Sequence, residues 1–124
     1  MKIFRIDDLK SSKNPNSAEK LFRSDALTEA DGAFNLGAIS VIQEPGAEPN
    51  YHYHEKRESV LVVVSGEAIE NVEGKDYDLK AGDIIFLKAN EKHSVRNKST
   101  TEQMRFIEFF TEPPAGKDFV TVKK

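Results

Sequence analysis

From Ser59 to Gly66 the chain reads SVLVVVSG, a run of β-branched residues too short and too evenly apolar for an amphipathic helix, stopped by a glycine. The same grammar repeats on both sides of it. AFNLGAISVIQ (33–43), PNYHYH (49–54), EAIENV (67–72), DYDL (76–79), DIIFLK (83–88), HSVRN (93–97) and QMRFIEFF (103–110) are further candidate strands. Between them stand Glu44-Pro45-Gly46, Glu73-Gly74-Lys75, Ala81-Gly82-Asp83 and Ala89-Asn90-Glu91, each holding a residue suited to a tight turn. Many short strands at close spacing predict an all-β sandwich or barrel, and 124 residues supply one such domain, 1–124. Val60 to Val64, apolar at every position, predicts a strand buried on both faces. KIFRI (2–6) reads as one more strand. The stretches 10–20 and 111–118 read as loops, the first with at most a helical turn over Ser17–Leu21.

Composition narrows the chemistry by exclusion. With 18 basic and 21 acidic residues the net charge is −3, which offers no general attraction to nucleic acid or to an anionic membrane. Without cysteine there is no disulfide framework and no thiolate metal site, so the strong nitrogen ligands are the three histidines, His52, His54 and His93. Charges occupy the start of the chain where a signal peptide needs its apolar segment, and no run is long enough to span a bilayer, so a soluble cytoplasmic protein is expected.

In a strand, residues i and i+2 share a face, so His52 and His54 project together. Gly46 precedes His52 by five residues, and Gly66 closes the following strand. Further on, in GDIIFLKANEKHSVRN, Gly82 opens a strand, Asn90 sits in a turn, His93 begins the next strand and Asn97 lies four positions later. This arrangement resembles the cupin superfamily, whose first motif (here about 46–66) joins Gly, His-x-His, Glu and Gly, and whose second (about 82–97) joins Gly, Pro-x-Gly, His and Asn. Every histidine of the chain falls on a motif position. The stretch HYHEKRESVLVVVSGEA also looks like its counterpart in cupins of the mannose-6-phosphate isomerase type.

The resemblance implies a double-stranded β-helix, or jelly-roll barrel, with a short N-terminal arm, the histidines facing inward, and one divalent transition metal: iron, manganese, nickel, zinc or copper. Imidazole donors agree with that choice and disfavour magnesium and calcium, which prefer oxygen. The fourth family ligand is a glutamate, and here the two ways of counting part. Glu58 has the right distance from His54, whereas the distance to Gly66 places Ser59 there. In a regular strand a Ser59 that faces the metal turns Glu58 away, and a bulge at the strand start restores Glu58. Lys88 and Asn90 stand where the family has proline and glycine.

Other residues take weaker assignments. Met104, Phe106, Glu108 and Phe110 share a face that should meet the core, making Glu108 a buried carboxylate in need of a partner. Gln43 or Ser40, on opposite faces, lines the pocket. EKRE (55–58) reads as a solvated loop, with Arg57 as a gate over the pocket mouth as the alternative. The functional expectation is a metal-binding cupin that acts on or binds a small sugar-like or carboxylate ligand. Alternatives are a non-catalytic sensing module, a sugar-phosphate isomerase-like or dioxygenase-like enzyme, and a barrel whose histidines hold only water. A homodimer is expected, with Lys2–Ile6 or Phe119–Val122 joining the partner's sheet, set against the alternative that each terminus folds back on its own barrel.

Overall fold

A computed structural model describes residues 1–9, 12, 13, 20–47 and 49–123. Its strands are β1 (Ser12–Lys13), β2 (Leu21–Leu27), β3 (Gly37–Gln43), β4 (His52–Tyr53), β5 (Ser59–Ser65), β6 (Glu67–Val72), β7 (Lys75–Lys80), β8 (Ile84–Leu87), β9 (His93–Asn97), β10 (Met104–Phe110) and β11 (Val120–Thr121). They form two antiparallel sheets, one in the order β1-β2-β3-β10-β5-β8 and one in the order β11-β4-β9-β6-β7. This is the double-stranded β-helix, and it carries the predicted strands from β3 to β10: β5, β6 and β9 as expected, β3, β4, β8 and β10 shorter, and β7 one residue longer at each end.

The core fills the space between the sheets. Ile39 and Val41 of β3, Leu61 of β5, and Met104, Phe106 and Phe110 of β10 meet Ala68 of β6, with Val72 and Val95 packed alongside. Alternation along each strand decides which side chains go in. In β5 Ser59, Leu61 and Val63 are buried, whereas Val60, 36% exposed, shows its side chain to the outside. The expectation that β5 is buried on both faces is therefore corrected. β5 lies between β10 and β8 within one sheet, and the second sheet covers only its inner side. Gly66 then takes the chain from one sheet to the other at φ +81°, and a Cβ there would stand 2.6 Å from the Gln103 carbonyl oxygen, so backbone passes where no side chain fits.

Two segments differ from the sequence reading, and a third lies largely outside the described residues. KIFRI forms no strand. Residues 6–8 make a short 3-10 helix with Asp7 and Asp8 in its first turn, and the arm is held by side chains: Lys2 donates to Ala26 O and Asp31, and Arg105 to Ile6 O. β2 was not anticipated, because Arg23 and Asp25 interrupt its apolar pattern on one face. Most of the helical turn expected over Ser17–Leu21, and most of the loop 10–20, lie outside the described residues, while Leu21 itself begins β2.

Candidate metal centre

The three histidines meet at one end of the smaller sheet. His52 in β4 and His93 at the start of β9 are register partners across the antiparallel pair, and His54 follows β4 by one residue. The turn that leads into β9 is tied to this point: Asn90, in the left-handed region at φ 68°, donates its N–H to His54 O at 2.7 Å. That conformation is the one asparagine tolerates best among side-chain-bearing residues, so its replacement of a family glycine costs little.

Among the described residues these three form a group whose ligand atoms all lie within 4.8 Å of one another. Each ring is oriented the same way. His52 Nδ1 faces Asn50 O at 2.8 Å, His93 Nδ1 faces Glu91 O at 2.9 Å, and His54 Nδ1 faces Asp118 O. A backbone carbonyl can only accept, so each Nδ1 carries the proton and each Nε2 keeps its lone pair for the centre. Burial also holds the rings neutral: it pushes His52 down to about 3 and His54 to about 4, and it lowers His93. Three neutral nitrogen donors, pre-set in the metal-binding tautomer by carbonyl partners, fit a borderline transition metal.

The centre opens into a cavity of about 410 Å³. Leu21, Ile39, Val41 and Phe106 give it apolar walls, and Gln43, Arg23, Arg57 and Glu108 are its polar members. Glu108, the carboxylate expected to need a partner, accepts from Ser59 Oγ at 2.8 Å and lies 3.9 Å from Arg57. Gln43 donates from Nε2 to Val95 O at 2.9 Å. Ser59 is buried beside Glu108, whereas Glu58 is exposed, outside the histidine group, with its N–H donating to Thr111 Oγ1 at 3.0 Å. Asn97 serves the scaffold, donating to Gln43 O and Glu102 O at 3.0 and 2.7 Å.

Two further groups stand near the centre. Arg57, expected in a solvated loop or, alternatively, as a gate over the pocket mouth, lines the cavity and is 3% exposed, because its guanidinium donates to Pro114 O and Ala115 O and lies over the Phe110 ring at 4.3 Å. Phe119 stacks on His52 with ring centroids 4.3 Å apart. A third, Glu70, is 1% exposed with no hydrogen-bond partner for either oxygen among the described residues, and burial, reinforced by Glu108, pushes its carboxyl up to about 8.

Comparison with known proteins agrees with this architecture. The cupin domain family model matches residues 40–110. An oxalate-binding protein of Thermotoga maritima is 34% identical over 98 residues, covering 79% of this chain and 78% of that protein. An L-ectoine synthase of Halalkalibacterium halodurans is 25% identical over 119 residues, 95% of this chain and 89% of the enzyme. Among solved structures, an uncharacterised conserved protein with a double-stranded β-helix domain from Klebsiella pneumoniae superposes with a TM-score of 0.79 at 26% identity, covering 100% of this chain and 99% of that one.

Proposed function

The chain belongs to the cupin family, and from that premise we propose that it holds one divalent transition metal on His52, His54 and His93 and takes a small organic anion, a carboxylate or a sugar acid, into the adjoining cavity. The observation that carries the reading is the shared orientation of the rings, each Nδ1 given to a backbone carbonyl and each Nε2 left for the metal. A metal bound there supplies Lewis acidity and a seat for an anionic oxygen, undiminished by any carboxylate in its ligand set. The protein supplies the rest. Apolar walls from Leu21, Ile39, Val41 and Phe106 exclude water from the ligand's body, and Arg23 adds positive charge. Glu108, held by Ser59, stands as the cavity's carboxylate, able to accept a hydrogen bond from a hydroxyl on the ligand. The relationship to an oxalate-binding protein supports the carboxylate reading.

Turnover is the second reading, supported by the relationship to a synthase and by Glu108 as a base within the cavity. Elemental analysis of the purified protein beside a His52→Ala variant tests the metal: about one equivalent is expected in the parent and little in the variant, and a metal-free parent never exposed to chelator ends the proposal. Calorimetric titration of the loaded protein with oxalate and glycerate then tests the ligand class.

The partner we propose is a second copy. On the outer face of the larger sheet Val60 pairs in register with Phe86 and with Phe109, and Val62 with Ile84, giving a continuous apolar surface in which Ile84 is 70% and Phe86 56% exposed. This replaces the terminal-strand route, since Val120–Thr121 pairs with β4 of its own chain. Light scattering should give twice the chain mass, and Ile84→Glu should return it to one.

A further inference from the structure

We propose that the C-terminal segment 111–122 is a clasp that completes the metal pocket, and that Phe119 on it sets the size of ligand the pocket accepts. The inference rests on the metal reading above and goes beyond it, because it assigns a role to residues outside both family motifs.

The segment is fastened at each end to the loop that carries the histidines. It begins where Thr111 N–H donates to Glu58 O, and it ends where Val122 N–H donates to Tyr51 O at 2.8 Å, with β11 paired to β4 between. In the middle, the Asp118 carboxylate accepts from three successive backbone N–H groups, those of Glu55, Lys56 and Arg57, at 3.0, 2.7 and 2.9 Å. Such a row of donors is a natural anion seat, and here the chain's own carboxylate fills it. From the other direction Arg57 reaches across to Pro114 O and Ala115 O. Loop and segment thus hold each other by reciprocal charged contacts, Asp118 on one backbone and Arg57 on the other.

The result is a wall. Asp118 O receives His54 Nδ1–H, so one residue both closes the clasp and fixes a metal ligand. The next side chain, Phe119, lies nearly parallel to His52, 20° between planes, and edge-on to His54 with centroids 5.7 Å apart. Stacking covers the face of the imidazole and leaves its in-plane Nε2 lone pair free, so Phe119 shields the ligand set without competing for the metal. Ala115 and Gly116 line the same cavity as Phe119. A ligand bound to the metal must share this space with the Phe119 ring.

The test uses cobalt(II), whose visible spectrum reports both metal binding and replacement of bound solvent, with acetate and phenylacetate as small and bulky probes. Parent protein is expected to favour acetate. Phe119→Ala should raise the phenylacetate-to-acetate affinity ratio on the order of tenfold, the effect of relieving one steric wall. Asp118→Asn, which weakens the clasp and keeps the ring, should speed amide hydrogen exchange in 55–57 and 119–122 while leaving β3, β5 and β10 protected. An unchanged affinity ratio in Phe119→Ala overturns the clasp alone, and no binding of either probe to a cobalt-loaded parent overturns the clasp and the carboxylate reading of the cavity while leaving the metal. Failure of the parent to bind cobalt overturns the metal reading and the clasp together. Should Phe119→Ala not fold, exchange in Asp118→Asn still decides: uniform acceleration across the barrel would make the segment ordinary scaffold.

Discussion

The histidine cluster and Glu70 are two buried polar regions of one small barrel, and they are treated in opposite ways. Every histidine has its outward nitrogen bonded to a backbone carbonyl, and only the atoms aimed at the common centre are left over. Glu70, more deeply buried in β6, has neither oxygen bonded among the described residues. The lesson concerns protonation. Desolvation penalises charge in both places, driving the histidines to the neutral state that a metal wants and the glutamate to a neutral acid with a value near 8. One region is set up to receive a cation, and the other carries a cost that grows as pH rises.

The sharpest way to break the comparison is at the ligands. His93→Ala removes one of three donors, and metal affinity should fall at least about a hundredfold, beyond the loss that follows when only a ligand's hydrogen-bond partner is changed. Equilibrium dialysis measures this, and an unchanged affinity would mean that the cluster is scaffold like Glu70.

A smaller effect separates the regions by the direction of their pH dependence in metal-free protein. Above 4.5 an unfolded Glu70 has lost its proton, whereas the folded one holds it to about 8, so its contribution is full below 4.5 and drains away as pH rises through 8. Glu70→Gln should therefore gain a few kcal/mol relative to the parent at pH 9, and far less at pH 5. The histidines act on the acid side: unfolded rings protonate below 6.5 while folded His52 and His54 resist to about 3 and 4, so stability falls with pH from 6.5 downward. Thermal unfolding at pH 5, 7 and 9 reads both limbs. A gap between Glu70→Gln and parent that is equal at pH 5 and 9 contradicts the account of Glu70.

The smallest effect is expected at Glu58. Being exposed and outside the cluster, its change to Gln should alter metal affinity by less than about threefold, in keeping with the low worth of solvent-screened charge. A loss comparable to that of His93→Ala would make Glu58 a ligand and leave the cluster incomplete without it.

How much of this was legible follows from what each residue's position depends on. His52, His54 and His93 could be read because an i, i+2 pair and a strand start are local facts, and the cross-strand pairing of His52 with His93 completes them. Phase along β5, counted back from Gly66, also put Ser59 inside and Glu58 outside, as they lie. β2 was hidden because its inward positions near the cavity mouth are polar, Arg23 above all, and alternation cannot distinguish a cavity wall from a solvated face. Arg57 and Asp118 were hidden for a different reason. They satisfy each other's segments across a gap of some sixty positions, for which no local pattern exists. Glu70 sits in an alternating run, EAIENV, whose buried positions are Ala68 and Glu70, and nothing in that local pattern marks the charged one as enclosed.

The place of β10 has a consequence for how a new copy comes into being. It lies between β3 and β5, pairing Phe106 with both Val41 and Val63, yet it is made long after either of them. While the ribosome is still adding residues 66–103, β3 and β5 each offer, on the side that β10 will fill, a bare row of amide and carbonyl groups. The larger sheet cannot close, and the clasp that follows β10 cannot fasten, until residues 104–122 have emerged. Nascent copies therefore pass through an interval when those two edges are open to one another's chains, and the yield of folded protein should depend on how quickly β10 arrives and how crowded the chains are while they wait.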